Sequence, residues 1–172
     1  MPGTFYAVLI FLPLIAISLK KIYLILVVSL PYLLHAESWM GEWKGKAEMV
    51  VSSQFKVKGD LHISLSVTEK EFTLNFAKFV ANGYEKEWGP EVYEIQGEDL
   101  FEKGKKVGSL YPDLVKISRE VQVPQGTILL EWSVKILNLL QARYEEVWLA
   151  QRVPVYELKS DLNPFIPYSS AK

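Results

Sequence analysis

Residues 42–51 read Glu42-Trp43-Lys44-Gly45-Lys46-Ala47-Glu48-Met49-Val50-Val51, and a single alternation orders them. Trp43, Gly45, Ala47, Met49 and Val51 share one face, while Glu42, Lys44, Lys46 and Glu48 share the other. A period of two is that of a β-strand, because successive side chains point to opposite faces. One apolar face and one charged face describe a strand that is buried on one side and wet on the other, as in an antiparallel sheet.

The same pattern continues downstream. In 61–68 the inward set is Leu61, Ile63, Leu65 and Val67, with His62, Ser64, Ser66 and Thr68 pointing out. Phe72, Leu74 and Phe76 then alternate with Thr73, Asn75 and Ala77. Turn residues separate these runs at Lys58-Gly59-Asp60, Thr68-Glu69-Lys70, Ala81-Asn82-Gly83 and Trp88-Gly89-Pro90. Further strands are expected at 91–96, 99–103, 106–111 and 114–118. Lys103-Gly104-Lys105 is read as a hairpin tip, and Pro124-Gln125-Gly126 resets the chain. Residues 137–152 are rich in good helix formers, so a helix competes there. Alternation of Ile128, Leu130, Trp132, Val134 and Ile136 favours two long strands instead, 127–137 and 143–159, with Pro154 at an edge or bulge. Short strands at regular spacing define an all-β fold, a small antiparallel up-and-down barrel of about eight strands. The barrel domain is expected over 37–160, followed by an irregular tail, 161–172.

Upstream, Glu37 is the first acidic residue. Two apolar runs precede it, 5–18 and 22–34, each shorter than the roughly 20 residues that cross a bilayer as a helix. Lys20 and Lys21, the second run, and Leu34-His35-Ala36 have the three parts of a secretory signal. Residues 1–36 are therefore read as a targeting segment, with a true start at Leu19 as one explanation of the surplus first run. A membrane hairpin or retained anchor made from both runs is the competing reading. Export to a periplasm or cell exterior follows, and the absence of cysteine favours a bacterial envelope over a disulfide-stapled secreted module.

Composition excludes several chemistries. Without Lys20 and Lys21, the 19 basic residues fall to 17 against 20 acidic ones, a mildly acidic balance with no basic stripe for nucleic acid. No cysteine means no thiol nucleophile and no Cys-ligated zinc. His62 is the one histidine beyond the targeting segment, which leaves neither a metal site nor a Ser-His-Asp mechanism in view. The acidic pairs Glu85 with Glu87, Glu98 with Asp99, and Glu145 with Glu146 lie among charged neighbours and read as solvated surface. No catalytic residue, metal or cofactor is expected.

Gly41-Glu42-Trp43 at the head of the first strand resembles the Gly-x-Trp motif of the lipocalins and the wider calycin group. That resemblance implies a barrel that carries a small apolar ligand, with Trp43 on its floor beneath a basic residue from a late strand. Arg152 takes that position here, or else Arg143, since a guanidinium stacks favourably on an indole face. The Thr-Asp-Tyr turn of lipocalins is absent from this chain. With aromatics at 13% of residues, the interior either fills completely or leaves a ligand cavity. Trp43, Phe72, Leu74, Phe76 and Trp132 are the expected interior residues. The expectation is thus a non-enzymatic exported barrel for a small apolar or amphipathic ligand. The alternative is an interaction or inhibitor module with a filled core and an apolar outer patch around 147–155.

Overall fold

The computed structural model describes residues 41–165, so the expected targeting segment, 1–36, and residues 166–172 of the expected tail lie outside the described residues. Eleven strands follow one another: β1 (Gly41–Val51), β2 (Phe55–Val67), β3 (Glu71–Ala81), β4 (Tyr84–Trp88), β5 (Glu91–Gln96), β6 (Asp99–Glu102), β7 (Lys105–Leu110), β8 (Leu114–Val123), β9 (Gly126–Asn138), β10 (Gln141–Ala150) and β11 (Val153–Pro164). Every pairing is antiparallel, and β2 pairs with both β1 and β3 while β1 pairs with β11. The sheet therefore closes into an up-and-down barrel of ten strands with β4 outside the ring, rather than about eight strands.

β4 is outside because β3 serves two strands along one edge. Glu71 to Leu74 pair with β5, whereas Ala77 to Ala81 pair with β4. Between them stand Gly89, whose φ of 99° suits only glycine, and Pro90, which has no N–H to give a ladder. A second interruption lies across the barrel. β7 pairs with β8 only from Gly108 to Leu110, opposite Val115 to Ile117. Beyond Ile117, β8 pairs with β9 alone among the described residues. Two strand edges, those of β4 and of β8 beyond Ile117, are thus unpaired among the described residues.

The inward residues form one core. Leu61, Ile63, Phe72, Leu74, Phe79, Tyr93, Ile117 and Val134 are among its fully buried members. At two places in the wall there is no room for a Cβ. One built on Gly45 would land 1.9 Å from the Asp161 carbonyl oxygen, and one on Gly59 would lie 2.4 Å from that of Val80. Gly59 therefore belongs inside β2, not to a turn as its Lys58-Gly59-Asp60 context implies. The chain reverses earlier, at 52–54, where Ser52 and Ser53 take φ of 52° and 56°.

Three further expectations change. The stretch 143–159 is two strands, not one: Gln151 and Arg152 both have positive φ and form the β10–β11 turn without the glycine that normally marks one. β11 continues to Pro164, because Leu162 to Pro164 pair with Gly45 to Trp43, so the strand takes in residues read as irregular tail. Phe76 moves to the outer face. A bulge at Asn75 lets Ser64 pair with Phe76 but Leu65 with Leu74, which reverses the alternation midway along β3. The Phe76 ring then sits edge-on to His62 at 4.8 Å. Over 137–152 the chain forms strands, as the alternation favoured, and not the competing helix.

Candidate functional site

A ladder of aromatic rings runs up the barrel and ends at a cavity. Trp132 is its hub, with ring centroids 6.2 Å from Phe72, 6.1 Å from Tyr93 and 6.5 Å from Tyr144, the last nearly parallel. Above Trp132 a cavity of about 230 Å³ lies between β4 and β8 beyond Ile117. Val121, Ile128 and Leu130 give it aliphatic walls, and Trp88, Trp132 and Trp148 give it aromatic ones. Lys86, Glu91, Arg119 and Glu146 supply its charged groups.

Two carboxylates, Glu91 and Glu146, line this site. Glu91 accepts hydrogen bonds from the Tyr93 hydroxyl and from Trp132 Nε1 at 3.2 Å, and its Oε1 lies 2.6 Å from Arg119 Nη2. Arg119 Nη1 reaches Glu102 at 2.8 Å. Burial works against the charge on Arg119, but Tyr93, Glu91 and Glu102 together hold its guanidinium above its ordinary value. Glu146 is only 3% exposed. Tyr144 Oη donates to its Oε2 at 2.7 Å, and Trp148 Nε1 donates to its Oε1 at 2.6 Å. Burial raises the Glu146 carboxyl above the usual carboxylate range, while those two donors and the nearby Lys86 charge pull it back.

Lys86 is placed differently. Its Nζ lies 5.1 Å from the Trp88 ring centroid, 4.8 Å from that of Trp148 and 4.7 Å from that of Tyr156. Two polar side-chain atoms are buried without a hydrogen-bond partner among the described residues: Nε of Arg119, which lines the cavity, and Oη of Tyr156, whose ring packs on Trp148. A larger open groove of about 870 Å³ lies over β1, β2, β10 and β11. Among its charged groups, Lys46 pairs with Asp60 and Arg143 with Asp161, and it has no aromatic wall.

Of the expected interior residues, Trp43, Phe72, Leu74 and Trp132 are buried, and only Trp132 borders the cavity. The basic partner expected for Trp43 is not found. Trp43 pairs with Pro164, whereas Arg152 is an exposed turn residue at the far end of β11, and Arg143 points outward to Asp161. Gly41 lies exposed at the start of β1. Glu146, read as solvated surface, is instead a buried acid. Its signal was present in the sequence: Ala142, Tyr144, Glu146 and Trp148 share one phase, so an inward strand face carries an acid. Arg119 is likewise in phase with Val115, Ile117 and Val121.

Fold and site together define an antiparallel β-barrel with an aromatic cavity at one end. No family model matches this chain, and no curated protein matches it. Among solved structures, a protein of unknown function from the DUF3598 family of Nostoc punctiforme aligns with a TM-score of 0.51 and 12% identity, covering 76% of this chain and 49% of its own. The chain thus spans about half the length of that neighbour. A redesigned β-barrel (TM-score 0.42, 12% identity) aligns over 77% of this chain and 96% of its own. A de novo designed fluorescence-activating β-barrel (TM-score 0.41, 14% identity) aligns over 76% and 96%. Identities this low show a shared fold alone.

Proposed function

We propose that this chain is an exported, non-enzymatic barrel that binds one small amphipathic molecule in the cavity beneath β4. The observation that carries this reading is the cavity's lining: apolar and aromatic walls with a few polar groups in fixed positions, the usual make-up of a small-molecule site. Its volume of about 230 Å³ suits a compact ligand, or one end of a longer one. Calycin kinship enters as part of the same proposal, supported by barrel closure and the buried Trp43. Export is supported by the three-part pattern of 1–36. Sequencing the N-terminus of the protein recovered from its own cells tests that half, with Glu37 expected as the first residue and an intact leader counting against it. Ligand capture tests the other half: the protein, purified without detergent, should take up apolar or amphipathic probes with quenching or a shift of tryptophan emission. Unchanged emission with every probe would count against it.

A second reading, an interaction module, draws on a different place from the one expected. Leu139 and Leu140 at the β9–β10 turn are 86% and 69% exposed. That turn, rather than 147–155, bears the most exposed large apolar side chains of the described residues. Replacing both leucines by serine should leave ligand uptake unchanged, and loss of uptake would tie this turn to the cavity instead.

A further inference from the structure

Three aromatic rings around one ammonium group make a cation receptor, whatever molecule supplies the cation. We propose that the cage of Trp88, Trp148 and Tyr156 receives an organic ammonium ion, and that Lys86 fills it with its own side chain until a ligand displaces it. This rests on the reading of the cavity as a ligand site and names the chemistry of the ligand's head.

Charge decides the sign of that head. Arg119 is already matched by Glu91 and Glu102, and Lys86 makes no ion pair with a carboxylate among the described residues. Lys86 is nevertheless the cation that acts on the buried Glu146. Once Lys86 leaves, Glu146 lacks a counter-charge in a site walled by indoles, and a buried carboxylate left alone is strongly disfavoured. An anionic head would worsen the imbalance and a neutral one would leave it. A cationic head restores it and takes over the three ring faces. Tyr156 Oη, buried without a partner, adds an acceptor for a polar hydrogen on the ligand. Displacement is feasible because Lys86 rides on β4, a strand of five residues that pairs with β3 alone among the described residues. Short strands held along one edge open at low cost.

The test compares choline with 3,3-dimethylbutan-1-ol, a neutral molecule of the same shape, by tryptophan fluorescence and calorimetry. In Lys86→Ala the cage is empty, and choline should bind at least about ten times more tightly than the alcohol. Adding Glu146→Gln should erase most of that preference. In the unaltered protein, choline should shift the NMR signals of the Lys86 ε-methylene towards those of a solvated lysine, as the ring currents are lost. That measurement needs no variant to fold. Equal or tighter binding of the alcohol would overturn the ammonium assignment while leaving a ligand cavity in place. Failure of both molecules to bind, with Lys86 signals unmoved, would overturn it too; uptake of apolar probes then decides separately whether the cavity binds anything.

Discussion

Arg119 on β8 and Glu91 at the start of β5 meet at 2.6 Å, although 28 residues separate them. Their ion pair bridges the region where β7 has parted from β8 and β4 has replaced β5 beside β3. Side chains thus join a part of the wall that the backbone ladder leaves open. Both partners are largely buried, with side-chain exposures of 20% and 15%, so cutting one strands the other. Arg119→Met should lower stability by about 3 kcal/mol in urea unfolding. Glu91→Gln in the same chain should recover part of the loss. Strictly additive losses would mean that the pair does not hold the wall.

The bulge at Asn75 sets a contrast between two phenylalanines four residues apart. Phe72 is fully buried in the core, and Phe72→Ala should cost about 3–5 kcal/mol. Phe76 lies outside on His62, and Phe76→Ala should cost about 1 kcal/mol. Equal losses in equilibrium unfolding would place Phe76 inside and remove the bulge.

Gly59 separates a bend from a turn in a similar way. Within β2 a Cβ would press on Val80 O, Phe79 and Ala81, so Gly59→Ala should destabilise by at least about 2 kcal/mol. A glycine in an open turn with ordinary φ would tolerate alanine, or even gain from it. Thermal or urea unfolding of this one variant distinguishes the two.

Those two positions also mark where the sequence is legible and where it is not. Alternation in 42–51, 61–67 and 127–136 directly reports strands with one wet face, and the all-β barrel follows from it. Alternation carries no information about a bulge, because the reversal at Asn75 depends on how β2 and β3 settle against each other. The β10–β11 turn carries no sequence signal for a local reason: Gln151 and Arg152 adopt positive φ without glycine or asparagine. The cavity was legible only in fragments. Glu146 and Arg119 lie in apolar phases, which marks them as inward charges. Lys86 and Trp88 gave no such signal, since β4 is five residues long and both are only half-buried among exposed neighbours.

Glu146 makes stability depend on pH with a definite sign. An unfolded glutamate releases its proton near 4.5, while burial raises the native value above that. Between the two values the folded state binds more protons than the unfolded one, so stability falls as pH rises through that window. Glu146→Gln cannot ionise. Its unfolding free energy should therefore gain on that of the unaltered protein as pH climbs above about 4.5, with no relative change below it. Lys86→Ala removes a charge that lowers the Glu146 value and should extend the window upward. A difference between Glu146→Gln and the unaltered protein that stays constant from pH 3.5 to 7 would mean that Glu146 is not buried as described.

Native mass spectrometry of the protein purified without detergent from its own cells tests most directly whether the cavity is a ligand site. The unaltered protein should carry one non-covalent added mass, released on denaturation and recoverable in solvent. An Ile128→Trp variant of unchanged fold, with its larger side chain filling the cavity, should not carry it. A clean apo mass that stays clean after exposure to apolar and amphipathic probes, or an added mass that persists in Ile128→Trp, would contradict ligand binding beneath β4.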